Sequence, residues 1–206
     1  MNRGCNIRYC YFRIKIFINI SEYGFNHIRK TLSRCGSCSR QLAFSTFTIE
    51  DSAGGLIACA VATMLKDRKQ ILPRGVMLIY PVLDNGMNTE SMKRFVDTPI
   101  WDSNCNKLFW NLYLDGCDVN KAKYATISEK VSVASFPGTY IEVAEFDCLR
   151  DEGKAFAEKL QSQGVSVNCY EIKGTCHGYE SALKSSIVST CLTRRIEWIN
   201  SVFNSE

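Results

Sequence analysis

Three side chains of this sequence could together carry out nucleophilic chemistry: Ser52, Asp147 and His177. A serine hydroxyl is a weak nucleophile until a neighbouring imidazole takes its proton. The imidazole in turn needs a carboxylate that fixes its tautomer and stabilises its cation. The order along the chain, serine then aspartate then histidine, is one in which such triads occur. These residues are therefore candidates for an acyl-transfer site.

Each of the three residues follows a segment whose pattern predicts a β-strand. The segments are 43–49 before Ser52, 138–146 before Asp147, and 165–172, followed by a glycine-bounded loop, before His177. In parallel α/β sheets, functional groups collect beyond the carboxyl ends of the strands. The sequence therefore predicts that the three side chains meet at one edge of a sheet.

Helical patterns alternate with these strands from residue 43 onwards. A short apolar run at 75–81 predicts one more buried strand, and the segments 56–67 and 151–164 have the periodicity of amphipathic helices. A C-terminal helix is predicted with one apolar face, formed by Val188, Leu192, Ile196, Ile199 and Phe203. Strands that alternate with helices predict an α/β fold with a mostly parallel sheet flanked by helices.

Composition and charge narrow the classes of function. The 206 residues, of which 46% are hydrophobic and 22% charged, suffice for one domain with a full core. Because the net charge of +4 arises from scattered lysines and arginines, no nucleic-acid surface is predicted. No apolar stretch is long enough to span a bilayer, and no His/Asp/Glu cluster has the spacing of a metal site. We expect no cofactor, no metal, no nucleic acid and no membrane span.

The N-terminal 42 residues differ from the rest. The segment 12–20 alternates as a half-buried strand would, and 25–34 is predicted to form a short helix. The basic N-terminus contains no continuous apolar core of a signal peptide, so we expect a cytoplasmic protein. We therefore interpret residues 1–42 as an atypical leader and 43–206 as the main domain.

The eleven cysteines are interpreted as free thiols, because their number is odd and no export signal precedes them. Cys35 and Cys38 form a C-x-x-C pair that could build a four-thiolate zinc site with Cys5 and Cys10. The spacing of the first pair is unusual for zinc, and no thioredoxin-like strand and helix surround the second pair. Free thiols remain the preferred interpretation.

Five short sequences give a more specific indication: DSAGG, MLIYPVLDN, MNTESMKRF, AEFDCLRDEG and GTCHGY. In this order they resemble the hormone-sensitive-lipase-like group of α/β-hydrolase carboxylesterases, close to its bacterial esterases. The resemblance covers residues from about 46 to 203. It implies an α/β-hydrolase fold and hydrolysis of short-chain carboxylic esters.

Carried over residue by residue, the resemblance implies Ser52 as nucleophile, Asp147 as acid and His177 as base. It also implies that the backbone N–H of Ala53 donates to the oxyanion in a turn completed by Gly54 and Gly55. Trp101, Trp110 and Tyr113 are candidates for the substrate pocket, as aromatic residues are in esterases. Core packing explains these aromatics equally well, and a turn or capping serine, a helix-capping aspartate and a structural loop histidine are the alternatives for the triad.

The sequence departs from the family in two places around the nucleophile. Where the family pattern reads G-D-S-A-G-G, this chain has Glu50 instead of the first glycine. A small residue there lets strand, turn and helix approach one another, so Glu50 is expected to distort the turn or to swing outward. The family's upstream H-G-G-G motif, which supplies the rest of the oxyanion hole, does not occur in residues 1–51.

These departures lead to an expectation about the extent of the domain. The leader has room for one strand and a short helix, whereas the family has several more strands before its nucleophile. The sequence thus predicts an incomplete α/β-hydrolase fold, with an exposed strand edge near 44–49 that could form a homodimer. Two functions stay open at this point: weak hydrolysis of small-molecule esters, or an inactive esterase fragment or non-enzymatic binding domain.

Overall fold

The computed structural model describes residues 47–115, 124–127 and 131–204. Their strands form one four-stranded parallel sheet in the order β1-β2-β3-β4. The strands are β1 (Phe47–Asp51), β2 (Gly75–Ile79), β3 (Gly138–Phe146) and β4 (Val167–Cys176). The predicted α/β fold with a parallel sheet is confirmed. The predictions for 12–20, 25–34 and the four candidate zinc cysteines lie outside the described residues.

Helices connect and flank these strands. The helices of the described residues are α1 (Ala53–Asp67), α2 (Glu90–Arg94), α3 (Ser103–Tyr113), α4 (Arg150–Ser162) and α5 (Ser186–Phe203), with a 3₁₀ turn at Tyr179–Ser181. Three of them begin with side-chain caps: Thr89 accepts from Met92 N at 3.2 Å, Asp102 accepts from Cys105 N at 2.8 Å, and Ser185 accepts from Ile187 N at 3.2 Å. Within the described part of the chain, no helix is long and apolar enough to cross a membrane.

Side chains alternate along β2 and β3 between two hydrophobic cores. Leu78 and Val143 point into a core that α1 and α4 cover, whereas Met77 and Tyr140 point into a core under α5. Because both faces are covered, all five residues of β2 are buried, as its continuous apolar run predicted. At one side of the described sheet, β1 pairs only with β2, and Ile49 is exposed there.

The apolar face of α5 differs from the prediction. Val188 and Cys191 are buried, but Leu192 and Ile196 are 46% and 58% exposed, and Phe203 is 39% exposed although its ring lies 4.8 Å from that of Phe47. The prediction was wrong for Leu192 and Ile196 because the helix turns a charged residue, Arg195, toward the sheet, where it pairs with a buried glutamate. A search for apolar periodicity cannot identify a face that is centred on an arginine.

Candidate active site

Ser52 alone forms the turn between β1 and α1, since β1 ends at Asp51 and α1 begins at Ala53. Its φ of 48° and ψ of −123° lie in a region that residues with a side chain rarely adopt. Ser52 N donates to the carbonyl of Ile79 at 2.9 Å, and Ser52 O accepts from Val82 N at 3.0 Å. Hydrogen bonds to Ile79, the last residue of β2, and to Val82, which follows β2, therefore hold Ser52 in its strained conformation.

The glycines after Ser52 allow close packing at this turn. A methyl group on Gly55 would lie 2.6 Å from Cβ of Pro81, so a side chain there would displace the turn after β2. A methyl group on Gly54 would lie 2.6 Å from Oε2 and 3.3 Å from Cβ of Glu50. The glutamate thus occupies the space that the missing side chain of Gly54 leaves open.

Glu50 therefore does not prevent the turn from forming, and its side chain packs over Gly54, an arrangement that neither of the two expectations described. The parallel register of β1 with β2 continues without interruption through Glu50 and Asp51. The side chain of Glu50 lies at the surface of the sheet edge, but partial burial and the neighbouring charge of Asp51 raise its carboxyl pKa. The sharp turn at Ser52 has formed despite the glutamate.

Hydrogen bonds join the side chains of Ser52, His177 and Asp147. Nδ1 of His177 lies 2.8 Å from Oδ2 of Asp147, and Nε2 of His177 lies 3.0 Å from Oγ of Ser52. Asp147 is 0% exposed and His177 is 5% exposed, so solvent competes little for either bond. Because an ionised carboxylate only accepts, Nδ1 carries the proton and Nε2 accepts from the serine hydroxyl. This is the tautomer that a general base requires.

Asp147 and His177 reach this position from the ends of β3 and β4. Asp147 follows Phe146, the last residue of β3, and its Oδ1 accepts from Leu149 N at 2.9 Å. The strand before His177 is longer than the predicted 165–172, because β4 continues through Gly174 to Cys176. Gly174 has a φ of 72°, and the β3–β4 register shifts near it, so the extension is irregular. The expected loop is largely strand, and His177 follows it directly.

The three predicted pocket aromatics lie in different surroundings. The ring of Trp101 is 5.8 Å from that of His177 and inclined by only 29°, so it stacks beside the histidine. Trp110 is buried in the core, where its ring packs against those of Phe109 and Tyr113. Of the three, Trp101 contacts the site, whereas the surroundings of Trp110 and Tyr113 match the core-packing alternative.

Sequence reasoning overlooked Tyr80, which immediately follows β2. Its ring lies 4.3 Å from the ring of His177, and its φ is 37°. The only sequence signal was an aromatic residue before Pro81 at the end of a buried strand. In the part of the chain that the structure describes, no group of three or more His, Cys, Asp or Glu residues could hold a metal ion.

Comparison with known proteins identifies the family. A family model described as "alpha/beta hydrolase fold" matches residues 40–181. The chain belongs to the alpha/beta hydrolase family. Among its relatives, the carboxylesterase NlhH of Mycobacterium tuberculosis is 30% identical over 132 residues, covering 63% of this chain and 41% of its own length. The ethyl acetate hydrolase of Pseudomonas putida is 28% identical over 133 residues, covering 64% of this chain and 42% of its own length.

Solved esterase structures share the fold of this alpha/beta hydrolase. A bacterial heroin esterase superposes with a TM-score of 0.71 at 29% identity, covering 77% of this chain and 52% of that structure. An esterase from Pseudomonas putida ECU1011 gives a TM-score of 0.72 at 27% identity, with coverages of 78% and 52%. The chain spans about two fifths of the length of the curated relatives and about half of these structures.

Proposed function

We propose that this alpha/beta hydrolase is a serine carboxylester hydrolase that acts on short-chain, small-molecule esters. Ser52 is the nucleophile, His177 the general base and Asp147 the carboxylate that orients the base. The observation that carries the proposal is the continuous set of hydrogen bonds from Asp147 through His177 to the hydroxyl of Ser52. Each side chain comes from the carboxyl end of a different parallel strand, where α/β folds assemble their sites.

The proposed reaction has two halves that use the same groups. As Oγ of Ser52 attacks the ester carbonyl, its proton passes to Nε2 of His177, and Asp147 stabilises the imidazolium. The tetrahedral intermediate collapses, the bond to the alcohol oxygen breaks, and His177 returns the proton to the leaving alkoxide. Water then repeats the attack on the acyl-serine, and the products are one carboxylic acid and one alcohol.

The backbone N–H of Ala53 is the proposed donor to the oxyanion. It lies in the first turn of α1, where backbone N–H groups have no partner within the helix and the helix dipole favours negative charge. The H-G-G-G sequence that would supply further donors does not occur in residues 1–51. Loss of one oxyanion donor lowers turnover by about 10²–10³, so we expect slow hydrolysis by the chain as it stands.

Similarity to named esterases supports the substrate class. The relatives include a carboxylesterase and a protein named for hydrolysis of ethyl acetate. Trp101, which stacks beside His177 and is partly exposed, is the proposed wall against which the ester lies. The leader boundary at residue 42, the homodimer through the exposed edge and the cytoplasmic location stay predictions.

Hydrolysis of p-nitrophenyl acetate tests the function. We expect release of p-nitrophenol that Ser52→Ala and His177→Ala abolish, because each removes one participant in the proton transfer. Cys169→Ser is the matched control, since Cys169 is an exposed thiol that could itself be acylated. Activity that survives Ser52→Ala but not Cys169→Ser would assign the reaction to the thiol. No activity above buffer in the natural chain would favour the inactive or ligand-binding alternative.

A further inference from the structure

A buried polar cluster lies next to the candidate base. At its centre is Glu142 of β3, which is fully buried and faces the core under α5. Oε2 of Glu142 accepts from the hydroxyl of Tyr179 at 2.6 Å and from Nε of Arg195 at 2.9 Å, and Oε1 accepts from the hydroxyl of Tyr140. The carboxylate is thus satisfied by two tyrosines and one guanidinium, as a buried charge must be.

Arg195 extends this cluster from α5 toward the site. Its Nη2 donates to Oε1 of Glu180 at 2.6 Å and to the hydroxyl of Tyr179 at 2.8 Å. The other oxygen of Glu180, Oε2, accepts from the hydroxyl of Tyr80 at 2.6 Å. Glu180 lies in the 3₁₀ turn that begins two residues after His177. A chain of charged hydrogen bonds therefore runs from Glu142 through Arg195 and Glu180 to Tyr80.

Tyr80 closes this chain against His177. The two rings lie 4.3 Å apart and are inclined by 51°, and the backbone N–H of Tyr80 donates to the carbonyl of Glu142 at 2.6 Å. Tyr80 is 4% exposed, so its ring offers little surface to a substrate. Burial and the neighbouring carboxylate of Glu180 raise the pKa of its hydroxyl well above the usual value, and the hydroxyl remains a donor.

We propose that Tyr80 is a positioning residue for His177 and that Arg195 holds Tyr80 in place through Glu180. The bond to Asp147 fixes one nitrogen of the imidazole, and tilting of the ring about that bond is opposed by the bond to Ser52 and by the two rings packed on the imidazole. Of these two rings, Trp101 is partly exposed, whereas Tyr80 is buried and anchored by its hydroxyl. An aromatic ring packed against the imidazole restricts the tilt and keeps Nε2 directed at Oγ of Ser52. This role rests on the proposed function, because it concerns the base of the same reaction.

Strain and polarity both support a positioning role over simple packing. Tyr80 has a positive φ, a conformation that persists only where surrounding contacts enforce it and that is frequent at functional sites. A buried ion pair contributes little net stability compared with apolar side chains of similar volume. The Glu142–Arg195 pair and its two tyrosines are therefore better explained by the orientation that they impose on the turn after His177.

Two variants of Tyr80 test separately the packing of its ring on His177 and the bond of its hydroxyl to Glu180. Tyr80→Leu should lower kcat for p-nitrophenyl acetate by about 10–10² and leave KM within about twofold, because substrate binding is untouched. Tyr80→Phe keeps the ring and loses only the link to Glu180, so it should recover most of the lost kcat. Phe136→Leu is the control, because Phe136 is similarly buried but packs on Phe156, away from His177. An unchanged kcat in Tyr80→Leu, or an equal loss in Phe136→Leu, would overturn the proposal.

A spectroscopic test does not depend on esterase activity. The proton on Nδ1 of His177, hydrogen-bonded to Asp147, should give a sharp downfield NMR resonance that His177→Gln removes. We expect the resonance to broaden in Tyr80→Leu and, more weakly, in Glu180→Gln, which is available if the leucine variant does not fold. If the chain shows no Ser52-dependent hydrolysis but the resonance broadens in these variants, the proposed function is rejected and the positioning role stands. A resonance that stays sharp in both variants would reject the positioning role itself.

Discussion

Residues 50 and 54 pack against each other at the turn around Ser52, and only one of these two positions should tolerate a side chain. Glu50 and Gly54 face each other across the turn, and a methyl group on Gly54 would lie 2.6 Å from Oε2 and 3.3 Å from Cβ of Glu50. The carboxylate can rotate away, but Cβ can move only with the backbone of β1. Gly54→Ala should therefore destabilise the natural chain, whereas the same change in a Glu50→Gly background should not.

The magnitude follows from two opposing effects. Overpacking of this kind costs about 1–3 kcal/mol. Replacing glycine by alanine in a helix gains about 0.5–1 kcal/mol, because the unfolded chain loses conformational freedom. In the Glu50→Gly background only the gain remains, since the carboxylate and Cβ are gone. The effect of Gly54→Ala on the free energy of unfolding should thus differ between the two backgrounds by about 1–3 kcal/mol.

Urea unfolding of four chains measures this coupling: the natural chain, Glu50→Gly, Gly54→Ala and the double variant. Gly138→Ala in the same two backgrounds is the matched control, because a methyl group on Gly138 meets only the carbonyl of Ser166, at 4.0 Å. The control should show no coupling. If the effects of Glu50→Gly and Gly54→Ala add to within about 0.5 kcal/mol, the two side chains do not compete for space and the reasoning is refuted.

Three further predictions concern other parts of the molecule. Gly55→Ala should lower the free energy of unfolding by about 1–3 kcal/mol in urea titrations, because its methyl group would press on Pro81; a neutral result would show that the loop yields. On α5, Val188→Ala should cost about 1–3 kcal/mol and Ile196→Ala at most about 0.5 kcal/mol, and the reverse order would contradict the observed face. Burial raises the pKa of the Glu152 carboxyl, so the stability that this group contributes is present at low pH and is lost as the pH rises. The urea midpoint of the Glu152→Gln variant, measured relative to the natural chain, should therefore increase from pH 5 to pH 7. A difference that stays constant over this range would exclude the linkage.

The features that could be predicted from the sequence rest on local patterns. The apolar run of β2 and the periodicity of α4 identify buried elements whatever lies around them, and Phe156 and Leu160 are buried as predicted. The meeting of Ser52, Asp147 and His177 followed from their places after parallel strands. These inferences needed no knowledge of which helix packs on which face of the sheet.

The features that escaped prediction depend on contacts between distant segments. The inward face of α5 is set by the pairing of Arg195 with Glu142, so the apolar pattern misplaced Leu192 and Ile196. The extension of β4 beyond residue 172 crosses Lys173 and Gly174, which interrupt the alternation that marks a strand. The accommodation of Glu50 depends on an open space four residues later, which no propensity describes.

The hydrogen bonds that build the site join segments far apart in the sequence, and this has a consequence for folding. Ser52 and His177 are 125 residues apart, and Tyr80 and Glu180 are 100 residues apart. Closing such long loops costs chain entropy before any contact repays it, and parallel sheets made this way fold slowly. We expect Ser52 and His177 to come together among the last events of folding. A partly folded chain would then contain Ser52, Asp147 and His177 without the hydrogen bonds that join them, so the appearance of the proposed esterase activity would report completed folding and not mere compaction.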